Sequence, residues 1–158
     1  MPTVLRTGRP VSKLESAVVI VTPADGPSFG TAPAGTSPVR VDAKGLAARI
    51  KFEEVISGPL GDLNGRFKLR VTELTLEPGG HVGEHNHAGP GIRQVTVGQM
   101  TYVLPDRTVV YNPGDFFFES GDVNHTVYNR TDAPMVHVLF EVLSVDLRGP
   151  SLIPVRHH

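Results

Sequence analysis

The chain contains neither cysteine nor tryptophan. The first absence excludes disulfides, thiolate ligands and cysteine nucleophiles together, and leaves the redox compartment undetermined. An excess of one charge sign is also lacking, with Lys+Arg 15 against Asp+Glu 16 and a formal net charge of -1. Because the two signs are intermixed, no basic stripe exists to attract nucleic acid or an anionic membrane. Small neutral or anionic molecules are the expected partners. Long apolar runs are missing too. The longest near the start, Ala17-Val18-Val19-Ile20-Val21, is too short for a signal-peptide core and far too short to span a bilayer, so a soluble, cytoplasmic protein is expected. There is no Gly-rich phosphate loop, nucleophile elbow or paired-acid glycosidase pattern. A bound metal would have only His, Asp, Glu and water as ligands.

What is present is glycine and proline, 17 and 14 of 158 residues, and their placement divides the chain. Residues 1–44 carry repeated Pro, Gly, Ser and Thr, as in Ala32-Pro33-Ala34-Gly35, which interrupt any long regular element. They read as an extended N-terminal arm with one short strand at residues 17–21. From residue 45 to 158 short β-type segments alternate with turn signals: 48–56, 67–76, 91–97, 100–104, 108–111, 115–119, 126–128 and 134–145. The only helical expectation is a segment near residues 42–49. Many strands without a long helix-period segment predict an all-β sandwich or barrel, of a size for one compact core.

Inside this β region lies Gly79-Gly80-His81-Val82-Gly83-Glu84-His85-Asn86-His87. Side chains alternate along a strand, so His85 and His87 project from one face. A third imidazole, His125 in Gly121-Asp122-Val123-Asn124-His125, can meet them from a neighbouring strand. Three neutral imidazoles around one ion leave positions open for water, oxygen or substrate, unlike a closed structural site. Pro78-Gly79-Gly80 reads as a turn ahead of the pair, and Asn112-Pro113-Gly114-Asp115 as a turn ahead of His125.

These residues resemble the two sequence motifs of the cupin superfamily. Gly79, His85, His87 and Gly98 fall on the first motif, and Gly114, His125 and Asn129 on the second. The resemblance covers about residues 66–146 and implies a double-stranded β-helix, or jelly-roll barrel, holding one divalent metal on His85, His87 and His125. The departures are specific. Gly91 stands where the family has a glutamate ligand, and Ser120 and Asp122 replace the usual proline and glycine. Losing a carboxylate leaves the site more positive and suited to an anionic bidentate ligand. Glu84, Glu119 and Glu141 are the carboxylates available as replacements, Glu84 being disfavoured by its parity opposite to His85. Gly91 has two readings: a vacated coordination position, which is favoured, or a backbone requirement with positive φ after Pro90.

Three-histidine cupins without the glutamate include acetylacetone-cleaving dioxygenases and cysteine dioxygenases. The resemblance implies a non-haem Fe(II) dioxygenase acting on a small chelating substrate. The alternatives are a Zn-, Mn- or Ni-dependent isomerase, cyclase or hydrolase, and a non-enzymatic metal or metabolite binder. Arg93 and Gln94 are the candidate catalytic residues. Arg93 either turns inward, offering a planar donor fork to a bound anion, or lies on the surface. Gln94 has the opposite parity and reaches the site only if a bulge follows Gly91. Phe116-Phe117-Phe118 reads as barrel core. His137 and Glu141 either support the ligands or form a satisfied polar pair near the rim, the latter being expected. His81 belongs to the rim, and Asn129 ties down a turn. A homodimer is expected, because short barrels leave sheet edges to be covered and the arm has strand-forming residues to cover them.

Overall fold

The computed structural model describes residues 40–155. The strand expected at residues 17–21, and nearly all of the N-terminal arm, lie outside them. Nine strands follow in order: β1 (Ala43–Val55), β2 (Phe67–His87), β3 (Gly91–Val97), β4 (Met100–Val103), β5 (Thr108–Tyr111), β6 (Phe116–Glu119), β7 (His125–Tyr128), β8 (Met135–Ser144) and β9 (Leu152–Pro154). The only helical element among the described residues is a 3-10 turn at Gly61–Leu63. The helix expected near residues 42–49 is instead part of β1, which pairs antiparallel with β2 from Ala43↔Val82 to Val55↔Lys68. Ladder hydrogen bonds to a long neighbour override the weak local helix signal.

The strands form one antiparallel sheet, in the order β5-β4-β7-β2-β8-β3-β6, with β1 and β9 also on β2. It curls into a nearly closed jelly-roll barrel. β2 is the spine. Its first half pairs with β8 from Phe67↔Ser144 to Leu76↔Met135, and its second half with β7 from His81↔Tyr128 to His85↔His125. Between the halves, Pro78-Gly79-Gly80 forms an irregularity in a continuous strand rather than the turn the sequence suggested. Between Leu46↔Leu76 and Lys44↔His81, β2 carries extra residues relative to β1, and Gly79 takes φ +67, a conformation that favours glycine. The strand bends there and serves both walls of the barrel.

Asn129 clasps that bend. Its buried amide donates to the carbonyls of Leu76, Glu77 and Ala133 at 3.0, 3.1 and 2.7 Å, while its own backbone N–H donates to Gly80 at 2.9 Å. Below it, Leu74, Leu76, Val82, Val95, Met100, Val127, Met135 and Leu139 make a closed apolar core. Full burial of each such side chain contributes roughly 1.5–3 kcal/mol. Only the middle phenylalanine of Phe116-Phe117-Phe118 points toward this interior. Phe116 and Phe118 are 61% and 67% exposed, because strand alternation sends i and i+2 to the other face.

Candidate metal centre

β2 has to switch face before its histidines can turn inward. Lys68, Arg70, Leu74, Leu76 and Val82 are buried, all at even positions, yet so are His85 and His87. The switch is a β-bulge. Three steps along β2, from Val82 to His85, oppose two steps along β7, from Val127 to His125, so one extra residue reverses the alternation. The bulge is pinned on both sides: Gly83 N–H donates to Asp42 O at 2.6 Å, and His85 Nδ1 donates to Gly83 O at 2.7 Å. His85 then faces His125 directly across the ladder, and His87 lies one step further on the same face.

The three rings share one tautomer. A backbone carbonyl can only accept, so Nδ1 carries the proton in His85, and likewise in His125, where it donates to Val123 O at 3.0 Å. The Nε2 of His87 receives an N–H from Arg93 at 2.7 Å. A guanidinium can only donate, so His87 Nδ1 is also protonated and donates to Glu141 Oε1 at 3.2 Å. Carbonyl and carboxylate partners on Nδ1 are the outer contacts that orient metal-binding imidazoles. One ligand nitrogen from each ring lies within 4.8 Å of the others, and all three residues are buried. His125 Nε2 has no hydrogen-bond partner despite full burial. An orphaned buried acceptor costs about 1–3 kcal/mol, and a cation would satisfy it. The donor set therefore fits a divalent metal.

Burial drives the His85 pKa well below the ordinary range, with the neighbouring His125 and His87 adding to the effect. Burial also brings His125 down to about 4, against the opposing pull of Glu119. Both rings thus stay neutral, as ligands must. Around them runs a polar network that the sequence only partly revealed. Arg93 turns inward and is buried, donating to Glu119 Oε2 at 2.6 Å, to His137 Nε2 at 2.7 Å and to His87. Tyr102 donates its hydroxyl to Glu119 Oε1 at 2.6 Å. Burial tends to raise the Glu119 pKa, but Arg93, His87, His125 and the Tyr102 hydroxyl together outweigh it and hold the carboxylate ionised.

His137 and Glu141 are not a rim pair. Both are fully buried; His137 receives from Arg93, while Glu141 supports His87 and accepts from the Ser151 hydroxyl. Ser151 precedes β9, a three-residue strand containing Pro154 that no periodicity announced. Gln94 is not brought to the histidines. β3 pairs with β8 without interruption from Gly91↔Glu141 to Val95↔His137, so no bulge follows Gly91, and Gln94 keeps the parity opposite to Arg93. Glu84 is exposed, on the opposite parity from His85. His81 bonds to Asp42 at 2.8 Å, away from the trio.

Gly91 does not have positive φ. A Cβ there would meet Phe140 O at 2.5 Å, far inside van der Waals contact, so the glycine permits close approach of two backbones. This geometry overturns the favoured reading of a side chain removed only to vacate a coordination position.

His87 and His125 open onto a cavity of about 480 Å³ whose lining also includes Glu119, Tyr102, Tyr111 and Phe117. Its wall is aromatic: Tyr111 stacks on Phe117 with centroids 4.0 Å apart, and Tyr102 on His125 at 4.6 Å. Arg107 and Asp106 line the same cavity. The volume falls in the range of small-molecule sites.

No curated protein matches the chain. Among solved structures, the polyketide cyclase RemF from Streptomyces resistomycificus is 20% identical over 82% of this chain and 88% of its own, with a TM-score of 0.54. A cupin 2 domain-containing protein from Halorhodospira halophila is 18% identical over 71% of each chain, with a TM-score of 0.51. At such identities the likeness is one of fold. The cupin domain model matches residues 72–141, the stretch from β2 to β8 that carries all three histidines. Over residues 72–141 the chain is thus similar to a cupin domain, and its jelly-roll barrel holds a buried three-histidine group able to bind a metal.

Proposed function

We propose that the protein is a mononuclear metal-dependent cupin enzyme, a non-haem Fe(II) dioxygenase acting on a small chelating substrate. The observation that carries this reading is a set of three buried imidazoles, each with one ligand nitrogen within 4.8 Å of the others and its Nδ1 committed to an outer contact, beside a cavity of about 480 Å³. His85, His87 and His125 would hold the ion. A divalent metal there supplies Lewis acidity and, as Fe(II), oxygen chemistry. The chain's own contributions are positional and electrostatic. Tyr102, Tyr111 and Phe117 line the cavity, Tyr102 standing edge-on to the stacked Tyr111–Phe117 pair, and give a substrate aromatic surface to pack against with water excluded. Arg93 and Glu119 form a buried ion pair that fixes the field at the cavity floor. Arg107, 62% exposed at its side chain, offers a cation to an anionic substrate entering the cavity.

A second reading, non-oxidative catalysis by a Lewis-acidic Zn, Mn or Ni ion, draws support from the Tyr102–Glu119 contact. Burial, reinforced by Glu119, raises the Tyr102 pKa, so the phenol keeps its proton and serves as a neutral hydrogen-bonding group at the cavity wall, tied to Glu119. The fold-level likeness to a cyclase is compatible with this chemistry without selecting it. Metal analysis of anaerobically purified protein, followed by oxygen-uptake screening with β-diketones, thiols and hydroxy acids, separates the two. Stoichiometric iron with substrate-dependent oxygen consumption supports the dioxygenase. Stoichiometric zinc with no oxygen consumption for any class replaces it with the Lewis-acid reading.

A further inference from the structure

The carboxylate missing at Gly91 has not left the barrel. In the ladder Gly91 pairs with Glu119 on β6 and with Glu141 on β8, so a buried glutamate flanks the vacated position on each side. Their orientations differ. Glu141 sits behind His87, 3.2 Å from Nδ1, the side that carries the ring proton. Glu119 faces the ligand edges, with Oε1 3.2 Å from His125 Nε2 and Oε2 3.7 Å from His87 Nε2.

The first of those distances joins two acceptors. His125 spends its proton on Val123 O, its Nε2 makes no hydrogen bond, and Glu119 is ionised beside Arg93. Two lone pairs therefore face each other at 3.2 Å in a buried site, an arrangement that lacks a cation between them. Arg93 occupies part of that role, since its guanidinium touches both His87 Nε2 and Glu119 Oε2, but it does not reach His125 Nε2. On the reading that the three histidines hold a metal, we infer that Glu119 is the fourth protein ligand, delivered from the neighbouring strand, and that Arg93 gives up His87 Nε2 when the ion enters. Three imidazoles and one carboxylate would then hold the ion, with the carboxylate supplied by β6 instead of β3.

The test is Co(II) and Zn(II) binding to metal-stripped full-length protein, read as affinity and as the visible Co(II) absorption. Glu119→Gln should weaken binding more than about 100-fold, beyond the 10–100-fold typical of residues that only support ligands, and should alter the Co(II) bands. Arg93→Met should tighten binding, because a competing cation is removed. If Glu119→Gln does not fold, Arg93→Met/Glu119→Gln compared with Arg93→Met alone makes the same comparison with both charges removed. A loss below 100-fold with an unchanged Co(II) spectrum overturns the inference while leaving the histidine site standing, provided His87→Ala abolishes binding. Wild-type protein that takes up neither ion overturns the inference together with the metal reading on which it rests.

Discussion

At the scale of single residues, the site depends on where each imidazole proton sits. Gly83 O, Val123 O and Glu141 each accept a hydrogen bond from an Nδ1, which leaves the Nε2 atoms as the nitrogens able to bind an ion. His87→Ala should therefore lose most bound metal, measured as metal per chain after dialysis; retained stoichiometric metal would place the ion elsewhere. Gly91 is decided by packing. A Cβ at 2.5 Å from Phe140 O forces the β3–β8 ladder apart, so Gly91→Ala should cost roughly 1–3 kcal/mol and Gly91→Glu at least as much, measured by denaturant unfolding. Alanine as stable as wild type would restore the vacated-ligand explanation.

At the scale of elements, two irregularities in β2 do what no ideal strand would. The Pro78-Gly79-Gly80 irregularity lets one strand serve both walls, and the Val82–His85 bulge turns odd-numbered residues inward. Asn129 holds the first of these with three carbonyl contacts. Asn129→Ala should destabilise the domain by about 2–4 kcal/mol, since buried carbonyls lose their donor at roughly 1–3 kcal/mol each with partial relaxation; a change under about 0.5 kcal/mol would mean that the bend holds itself. Most strands from β3 to β8 were legible from alternation and turn residues because they follow those rules. β9 was not, being three residues long and ending in proline, and neither was the full length of β2, whose glycines mimic a chain reversal. The correct inward assignment of His85 and His87 needed the bulge as well as the period-2 rule, because the core residues of β2 lie on the other parity.

At the scale of the whole molecule, two properties emerge from summed effects. The first is pH dependence. His85, His125 and His137 have pKa values lowered chiefly by burial, so below the ordinary value of about 6.5 the unfolded chain binds protons that the folded metal-free protein refuses. Stability is full above that pH and should fall on acidification toward His125's value of about 4, by up to ~1.4 kcal/mol per pH unit per histidine. Glu119, lowered in the fold, adds its own loss below about pH 4.5. Thermal melts of metal-free protein between pH 7 and 4 measure this, and a flat profile would contradict the neutral buried rings. The second is association. Across the outer face Phe52, Val71, Phe140, Ile92 and Phe118 are consecutive ladder partners on five strands, and four of them are 46–67% exposed. An exposed apolar row of this kind is typical of a protein interface. The protein should sediment as a homodimer, and Phe118→Glu with Phe140→Glu should yield monomers; an unaltered mass for that variant would exclude this face.

Composition, turn residues and period-2 alternation determined that the chain is an all-β sandwich or barrel, and the resemblance to two motifs selected the barrel and marked His85, His87 and His125 as one site, because strand alternation and motif spacing are written along the chain itself. Which carboxylate faces them, that Arg93 bonds to His87, His137 and Glu119 at once, and that Gly91 is required by a neighbouring backbone were decided only by the tertiary structure. Each depends on the register between strands far apart in sequence and on one extra residue in a ladder, and neither leaves a periodic trace along the chain.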